Sequence, residues 1–595
     1  MGRRVSETDL SDRALRDRAV AAARGAAPFD LLIRGARLAD MLTGQLRPAD
    51  IGLTGALIAS VHPAGSRSDA ARTLAADGLI AAPGLIDTHM HIESSMVTPA
   101  TYANAVLPRG VTTVVWDPHE FANVAGAAGM AYALAEAAAS PLRILPLAPS
   151  CVPSAPGYET AGADFDADAV AGLLAQPGIH GLAEVMDMAG VIGRSPRMTG
   201  IVQAGLLASK PVFGHARGLS GSALQAYATA GVSSDHELTS AEDLLEKIAA
   251  GLVIELRGSH PYLLPEFAAA LQALPQMPPT VTLCSDDVFP DELEAQGTVD
   301  QTLRSLVRHG LDPLRALQAA TLNAALRLGR PDLGLIAPGR RADIVLLEDL
   351  AGFQARYVLC DGVPPATAQP AADLPGGRML APVDADAFAL RATGETAQVA
   401  VIDRPRFTQW DSRVLPVIDG RVAPPPDVTR IAVLHRHGRA GAQPRLGFLT
   451  GWGAWRGAFA TTVSHDSHNL TVFGHTPRDM AAAANALIAA GDAAGVGGTA
   501  GVGAGGGMAV AQDGEVTALL PLPLAGLVSD APLSEIAEQL RAIRAALEPV
   551  IAWNPPYLTF KALVGATLAC NAGPHQTDLG IADPLEGRLM SSPLL

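Results

Sequence analysis

Residues 83–126 read PGLIDTHMHIESSMVTPATYANAVLPRGVTTVVWDPHEFANVAG, and the reading of this stretch decides the fold. A short apolar strand, Gly84-Leu85-Ile86, runs into Asp87-Thr88-His89-Met90-His91. Side chains alternate faces along a strand, so His89 and His91 project on one side and, at the strand's end, reach a common metal ion. Ile92-Glu93-Ser94-Ser95-Met96 leads into a helical run. A β-branched run, Thr112-Thr113-Val114-Val115-Trp116, then ends in Asp117-Pro118-His119-Glu120. Strand, helix and strand, with ionisable groups at both strand C-termini, make the unit of a parallel α/β barrel. Imidazole suits zinc, iron and manganese alike, so the pair predicts a divalent metal without choosing one.

Working outward, the alternation of strand-like and helical runs continues. RILPLAPS (143–150), GIHGLAEV (178–185), PVFGHA (211–216), VSSDHE (232–237), LVIELRGS (252–259) and TVTLCSDD (280–287) are the strands, with segments such as AEDLLEKIAAG and PLRALQAATLNAALRLG between them. The predicted fold class is α/β: a (β/α)8 TIM-type barrel over 83–330. Short punctuated strands in 28–82 and again in 331–382 predict a flanking β-sandwich domain built from both sides of the barrel. Residues 383–595 read as a C-terminal α+β domain. Residues 1–27 form an N-terminal arm, in which Ser6-Glu7-Thr8-Asp9 starts an exposed, Arg-rich helix ending at Gly25. The Gly-rich tract 495–507 contains GVGAGG, formally a GxGxxG. The residues after it, MAVAQDGEVTALL, read as a hairpin around Asp513-Gly514 and not as a helix, so the tract predicts a loop and no dinucleotide site.

Bulk properties narrow the function. A chain of 595 residues is too long for one core, and its 49% apolar content is ample for several. The net charge of -16 argues against nucleic acid as a partner but not against a free nucleobase, which carries no phosphate. Cys151, Cys284, Cys360 and Cys570 are too scattered for a disulfide framework and predict a reducing, cytoplasmic setting. No apolar run of about 18 residues predicts a membrane span, and the charged residues 1–28 do not read as a signal peptide. The lysines are Lys210, Lys247 and Lys561 alone.

The polar strand ends, collected in order, are His89 and His91; Asp117, His119 and Glu120; Glu184; His215; His236 and Glu237; Asp286 and Asp287. A two-metal hydrolytic site needs several imidazoles, a carboxylate bridging the ions, a further carboxylate and an open position for water, and this set contains all of these groups. Taken singly, each histidine reads equally well as structural; their repetition at successive strand ends favours a site.

On these segments, and on GHARGLSG, SHDSHN and LPLPLAGLVSD further along, the chain resembles the amidohydrolase superfamily and, more narrowly, the adenine deaminases. HIESSM together with DPHE and SDHE carries the narrower likeness. The resemblance implies hydrolytic deamination of adenine to hypoxanthine and ammonia by a metal-activated hydroxide at a binuclear site, with manganese or iron as the two ions. It places His89, His91, Glu184, His215, His236 and Asp286 on metal. Many superfamily members bridge the ions with a carboxylated lysine. Here Lys210 is the only lysine between the paired histidines and His215 and is too near His215 to occupy a separate strand end, so Glu184 is the candidate bridge. Glu120, with Asp286, Asp117 and His119, is the candidate for proton transfer, Glu120 being the relay. Glu93, Ser94, Ser95, Glu237 and Asp287 are candidates for lining the base pocket. The likeness departs at Val288, Phe289 and Gly297-Thr298-Val299-Asp300, and at His260, so the purine preference stays open. Another aminopurine or a cyclic amide, or an inactive barrel serving as a scaffold, are the competing readings. A homodimer is the base-rate expectation for barrel enzymes of this size.

Overall fold

The computed structural model describes residues 9–374, 380–493 and 505–595. Eight parallel strands form the barrel: β1 (Leu85–Met90), β2 (Val111–Trp116), β3 (Arg143–Pro146), β4 (Leu182–Val185), β5 (Val212–Gly214), β6 (Ser234–Asp235), β7 (Val253–Arg257) and β8 (Val281–Cys284). Ladder pairs join β1 to β2, β2 to β3, β4 to β5, β6 to β7 and β7 to β8. Single contacts complete the ring. Ala148 bridges to Leu182, Ser233 N donates to Val212 O (3.1 Å), and Asp286 N donates to His89 O (3.1 Å). The last contact closes the cylinder and brings the two ends of the barrel sequence together. Helices follow the strands on the outside. Ala241–Ala249 is typical: Ser240 caps it by accepting from Asp243 N, with Glu242 and Asp243 in the first turn and Lys247 in the last.

The strand Ile80–Pro83 enters β1 through Gly84, so the flanking sheet is continuous with the barrel in sequence. That sheet has seven strands, drawn from Leu31–Pro83 and from Ile344–Leu347 and Ala355–Leu359. They form one hydrogen-bonded sheet. A break in register between Ile33 and Ala36 falls at Gly35, whose φ of 76° suits glycine alone. Inward residues including Leu31, Ile33, Ile51, Ile58, Ile344 and Leu359 share a single core.

The N-terminal helix runs Arg13–Ala23 and is capped by Asp12, which accepts from Leu15 N. The expected start at Ser6-Glu7-Thr8 lies outside the described residues. The helix also differs from the solvated arm read from its arginines. Leu15, Ala19 and Ala22 are buried against Phe29, Leu32 and Leu57 of the flanking sheet, because they recur on one face between the charges.

Residues 396–522 supply a nine-stranded sheet. Strict alternation divides its two faces. Ala432, Leu434, Ala458 and Ala460 pack with Met480 and Leu487 of helix Pro477–Ala493. Ile431, Phe459 and Phe473 turn the other way, into the core that also holds barrel residues such as Met96, Phe289 and Leu293. Small residues admit the helix closely, and large aromatic ones fill the gap to the barrel. Phe289 and Phe560 stack edge to face across that gap, 5.4 Å between centroids. The hairpin at Asp513-Gly514 is present, pairing Gln512 with Glu515. Its first strand begins at Gly506, so Gly506 and Gly507 belong to the sheet and not to the loop predicted over 495–507; residues 495–504 lie outside the described residues. Among the described residues, no helix is long and apolar enough to cross a membrane.

Asp332 ties the end of the barrel to the flanking sheet by accepting from Arg330 (2.7 Å) and Arg341 (3.0 Å). Burial would raise its carboxyl, but the two guanidiniums outweigh this and hold it well below the usual range. An Asp332→Asn variant is expected to lose about 1 kcal/mol at neutral pH by urea unfolding, the scale of a solvent-screened pair. The folded value is depressed, so the gap between variant and wild type should be complete above about pH 4 and close as pH falls through the depressed value. A gap that widens on acidification contradicts this assignment.

Candidate metal centre

The alternation of β1 places His89 and His91 on the inner side of the barrel's C-terminal mouth, both buried. His91 Nδ1 lies 3.1 Å from Asp117 O. A carbonyl only accepts, so that nitrogen carries the hydrogen and Nε2 presents a lone pair. Nε2 of His91 faces Glu184 Oε1 (3.3 Å) and Asp286 Oδ1 (3.5 Å). His89 Nε2 faces the same two oxygens at 3.6 and 3.7 Å. The other oxygen of Glu184 meets His215 Nδ1 at 2.8 Å and His236 Nε2 at 3.3 Å. One carboxylate at the end of β4 thus divides its oxygens between two pairs of imidazoles from opposite sides of the barrel.

The donor set fits divalent metal. Neither ring nitrogen of His89 has a hydrogen-bond partner, nor has His215 Nε2 or His236 Nδ1, although all are buried. Buried imidazole nitrogens without partners cost free energy unless a cation or water is supplied. The ligand atoms of His89, Glu184 and His236 lie within 4.8 Å of one another, as do those of His89, His91 and Asp286, and those of His91, Asp117, His119 and Glu184. Burial would raise the Glu184 carboxyl; the surrounding histidines, His236 foremost, reverse this and hold it well below its ordinary value. Nitrogen and oxygen donors in this mixture suit zinc, iron or manganese.

A second layer holds these groups. Asp235 accepts from Ala216 N (2.6 Å) and Glu237 N (3.1 Å), which fixes the backbone beside His215 and His236. It is paired with the fully buried Lys247, 2.9 Å away, which also meets Asp243 at 2.8 Å. Asp87, below His89, accepts from Ser285 N and Oγ (3.0 and 2.5 Å). Lys210 donates instead to Leu174 O and Ile179 O, well away from the centre.

The centre floors a cavity of about 580 Å³. Glu237 and Asp287 border it, as do Val288, Phe289, Thr298 and His260. Glu237 is engaged by Arg217 (2.5 Å) and by Arg257 (2.7 Å). Glu93, Ser94 and Ser95 do not border the cavity. Glu93 accepts from Trp116 Nε1 (2.8 Å) and Phe121 N (3.3 Å), and Ser95 Oγ donates to Ile92 O (2.5 Å). Ser94 Oγ lies between Glu120 Oε1 (3.3 Å) and Asp287 Oδ1 (2.5 Å). The three follow the paired histidines in a short 3-10 turn, which points Glu93 and Ser95 into the packing behind the site while Ser94 reaches Asp287 at the cavity's edge.

Glu120 sits in the first turn of helix His119–Ala125, fully buried. The C-terminal region reaches it from above. His465 Nδ1 stands 3.3 Å from Glu120 Oε1, and His468 Nε2 stands 3.9 Å from Oε2. Burial pushes the Glu120 carboxyl up, against the pull of His465. His465 and Asp466 border the cavity, so SHDSHN lies at the site although read alone it is a polar turn. Arg257 escaped the sequence reading. It is the last residue of β7 and pairs with both Glu237 and Asp286. Its place at a barrel-strand terminus was the available signal.

Residues 80–365 match the family described as Amidohydrolase family, and residues 405–587 match the Adenine deaminase C-terminal domain. "Adenine deaminase 2" of Rhizobium meliloti (strain 1021) is 61% identical over 603 residues, covering 99% of this chain and 98% of the relative. "Adenine deaminase" of Klebsiella pneumoniae (strain 342) is 50% identical, covering 96% and 95% respectively. A solved structure of an adenosine deaminase from Xanthomonas campestris with bound zinc is 18% identical and covers 58% of this chain and 95% of that one, with a TM-score of 0.43.

Lys247 supports the centre through Asp235 without bordering the cavity. Lys247→Ala leaves a buried carboxylate without its cation and is expected to cost about 3–5 kcal/mol in urea unfolding. The double variant Asp235→Asn/Lys247→Met should recover much of that loss. A single variant as stable as wild type rules the pair out as a support.

Proposed function

This chain belongs to the adenine deaminase family of amidohydrolases, and from that premise we propose that it hydrolyses adenine to hypoxanthine and ammonia at the mouth of the barrel. The observation that carries the proposal is the convergence of four imidazoles, from His89, His91, His215 and His236, on the two oxygens of Glu184. In this reading His89, His91 and Asp286 would hold one ion and His215 and His236 the other, with Glu184 as the carboxylate shared between them. Manganese or iron(II) is the proposed pair, and its contribution when bound is to lower the pKa of a water from about 15.7 toward 7.

The remaining steps belong to the chain. Arg257 pairs with Asp286 Oδ2 and, against the effect of burial, keeps the carboxylate ionised, so that Asp286 can take the proton from the attacking water. Asp286 then passes that proton to the departing nitrogen as C6 loses ammonia, and the proton of the C6 hydroxyl returns through His465 to Glu120 as the carbonyl forms. Glu120, which burial keeps protonated more readily than an exposed carboxyl, supplies a proton toward the ring nitrogen through His465, which borders the cavity. Protonating the ring draws electron density from C6 and so favours attack there. Asp117 orients His91 through its carbonyl and His119 through its carboxylate. Ser94 positions Glu120 and Asp287 together. Cys151, Cys284 and Cys570 are free and buried, as suits a chain working in a reducing cytoplasm.

Adding adenine to metal-loaded protein should release ammonia with the absorbance change from adenine to hypoxanthine. Activity on a cyclic amide or another aminopurine, with none on adenine, replaces the proposed substrate. No turnover across such a panel by fully loaded protein leaves a scaffold.

Glu184→Ala should lose both metal and turnover; retention of two ions with full activity removes Glu184 as the bridge. Glu120→Gln should keep its metal while kcat falls roughly 10²–10⁴-fold, the usual worth of a general acid or base. An unchanged kcat takes Glu120 out of the mechanism.

A further inference from the structure

His119 has a second side. Its Nδ1 lies 3.0 Å from Asp117 Oδ2 and 3.9 Å from Glu184 Oε1; neither Nδ1 nor Oδ2 makes a hydrogen bond, and Asp117 is the nearer charge. The tautomer with its hydrogen on Nδ1, on the side of that carboxylate, leaves a lone pair on Nε2. Metal-ligating histidines are held in this way, with the remote N–H given to a carboxylate or carbonyl. His91 is held similarly, by the carbonyl of the same Asp117 (3.1 Å).

The lone pair on His119 Nε2 does not face the Glu184 group. Asp466 Oδ1 is 3.8 Å from it. The ligand atoms of His119, Cys151 and Asp466 all lie within 4.8 Å of one another, and the three residues are 2%, 3% and 1% exposed. Asp466 Oδ2 has no hydrogen-bond partner at all. An imidazole lone pair and a carboxylate are both acceptors, and the single thiol hydrogen of Cys151 satisfies only one of them.

We propose that His119 Nε2, Cys151 Sγ and a carboxylate oxygen of Asp466 bind a further divalent ion, separate from the pair on Glu184. One sulfur, one nitrogen and one oxygen donor suit a borderline-soft cation, of which zinc is the type, with water in the fourth position. Binding releases the Cys151 proton to solvent, so the thiolate and Asp466 neutralise the ion. His119 and Cys151 come from the barrel, after β2 and β3, and Asp466 from the C-terminal region, so the ion fastens the two together beside the cavity.

The probe is cobalt(II), loaded into the whole protein and followed by absorption spectroscopy and by metal analysis. Wild type should bind one equivalent more than the binuclear group accounts for and show a thiolate-to-cobalt charge-transfer band. Cys151→Ser should lose the band and that one equivalent, while Cys570→Ser, a neighbouring thiol, should keep both. Asp466→Asn should weaken retention of the same equivalent during dialysis against chelator at least tenfold. No thiolate band in wild type with the binuclear group filled overturns the proposal, as does a band that survives Cys151→Ser. The wild-type spectrum decides the matter even should a variant fail to fold. Adenine turnover is measured separately, so an inactive protein that shows the band sinks the proposed reaction and not this site.

Discussion

The structure depends on a carboxylate that four imidazoles surround. Burying the Glu184 charge is costly, and nothing in an apolar barrel interior offsets it; only the partners that converge on its two oxygens do so. Those partners sit at three different strand ends, and each is aimed inward only because its strand ends at the same level of the cylinder. The closing contact from Asp286 N to His89 O therefore belongs to the chemistry as much as to the fold, since it sets the height of the last strand's aspartate against the first strand's histidines. A slip of one residue in any strand would turn its ligand outward.

A second tier of charges makes this geometry rigid. Arg257 joins Asp286 to Glu237, and Lys247 joins Asp235 to Asp243. Both cations are nearly or fully buried and both have more than one carboxylate, so neither leaves an uncompensated charge behind. The effect is that the residues flanking the histidines are fixed before any ligand arrives. Preorganised dipoles and charges of this kind do their work without reorganising at the moment of reaction.

Much of this was legible in the residues. The pairing of His89 with His91 comes from strand alternation alone, and the scarcity of lysine pointed to Glu184. The barrel itself was readable because its apolar runs alternate with helical ones over many repeats. What could not be read was anything set by contacts between distant segments. Glu93 and Ser95 lie beside the paired histidines in sequence, yet a tight turn sends them behind the site, and no pattern of types predicts that turn's direction. Arg257 ends a strand, but an arginine there is equally at home extending into solvent. The N-terminal helix looked solvated because its three arginines are as many as the apolar residues that bury it.

The C-terminal region shows why proximity in sequence is a poor guide here. Its sheet sends Phe459 and Phe473 toward the barrel and its alanines toward a covering helix, so the face that meets the barrel is the bulky one. That packing brings the loop 464–469 down over the strand ends. His465 then reaches Glu120, and Asp466 reaches His119, across more than three hundred residues of chain. A Glu120 carboxyl open to water would ionise readily. With the loop in place the same group is fully buried, and its affinity for a proton rises with the loss of water around it. The second domain therefore belongs to the surroundings of the site, because it covers a carboxyl at the barrel mouth and makes that carboxyl hold its proton more tightly.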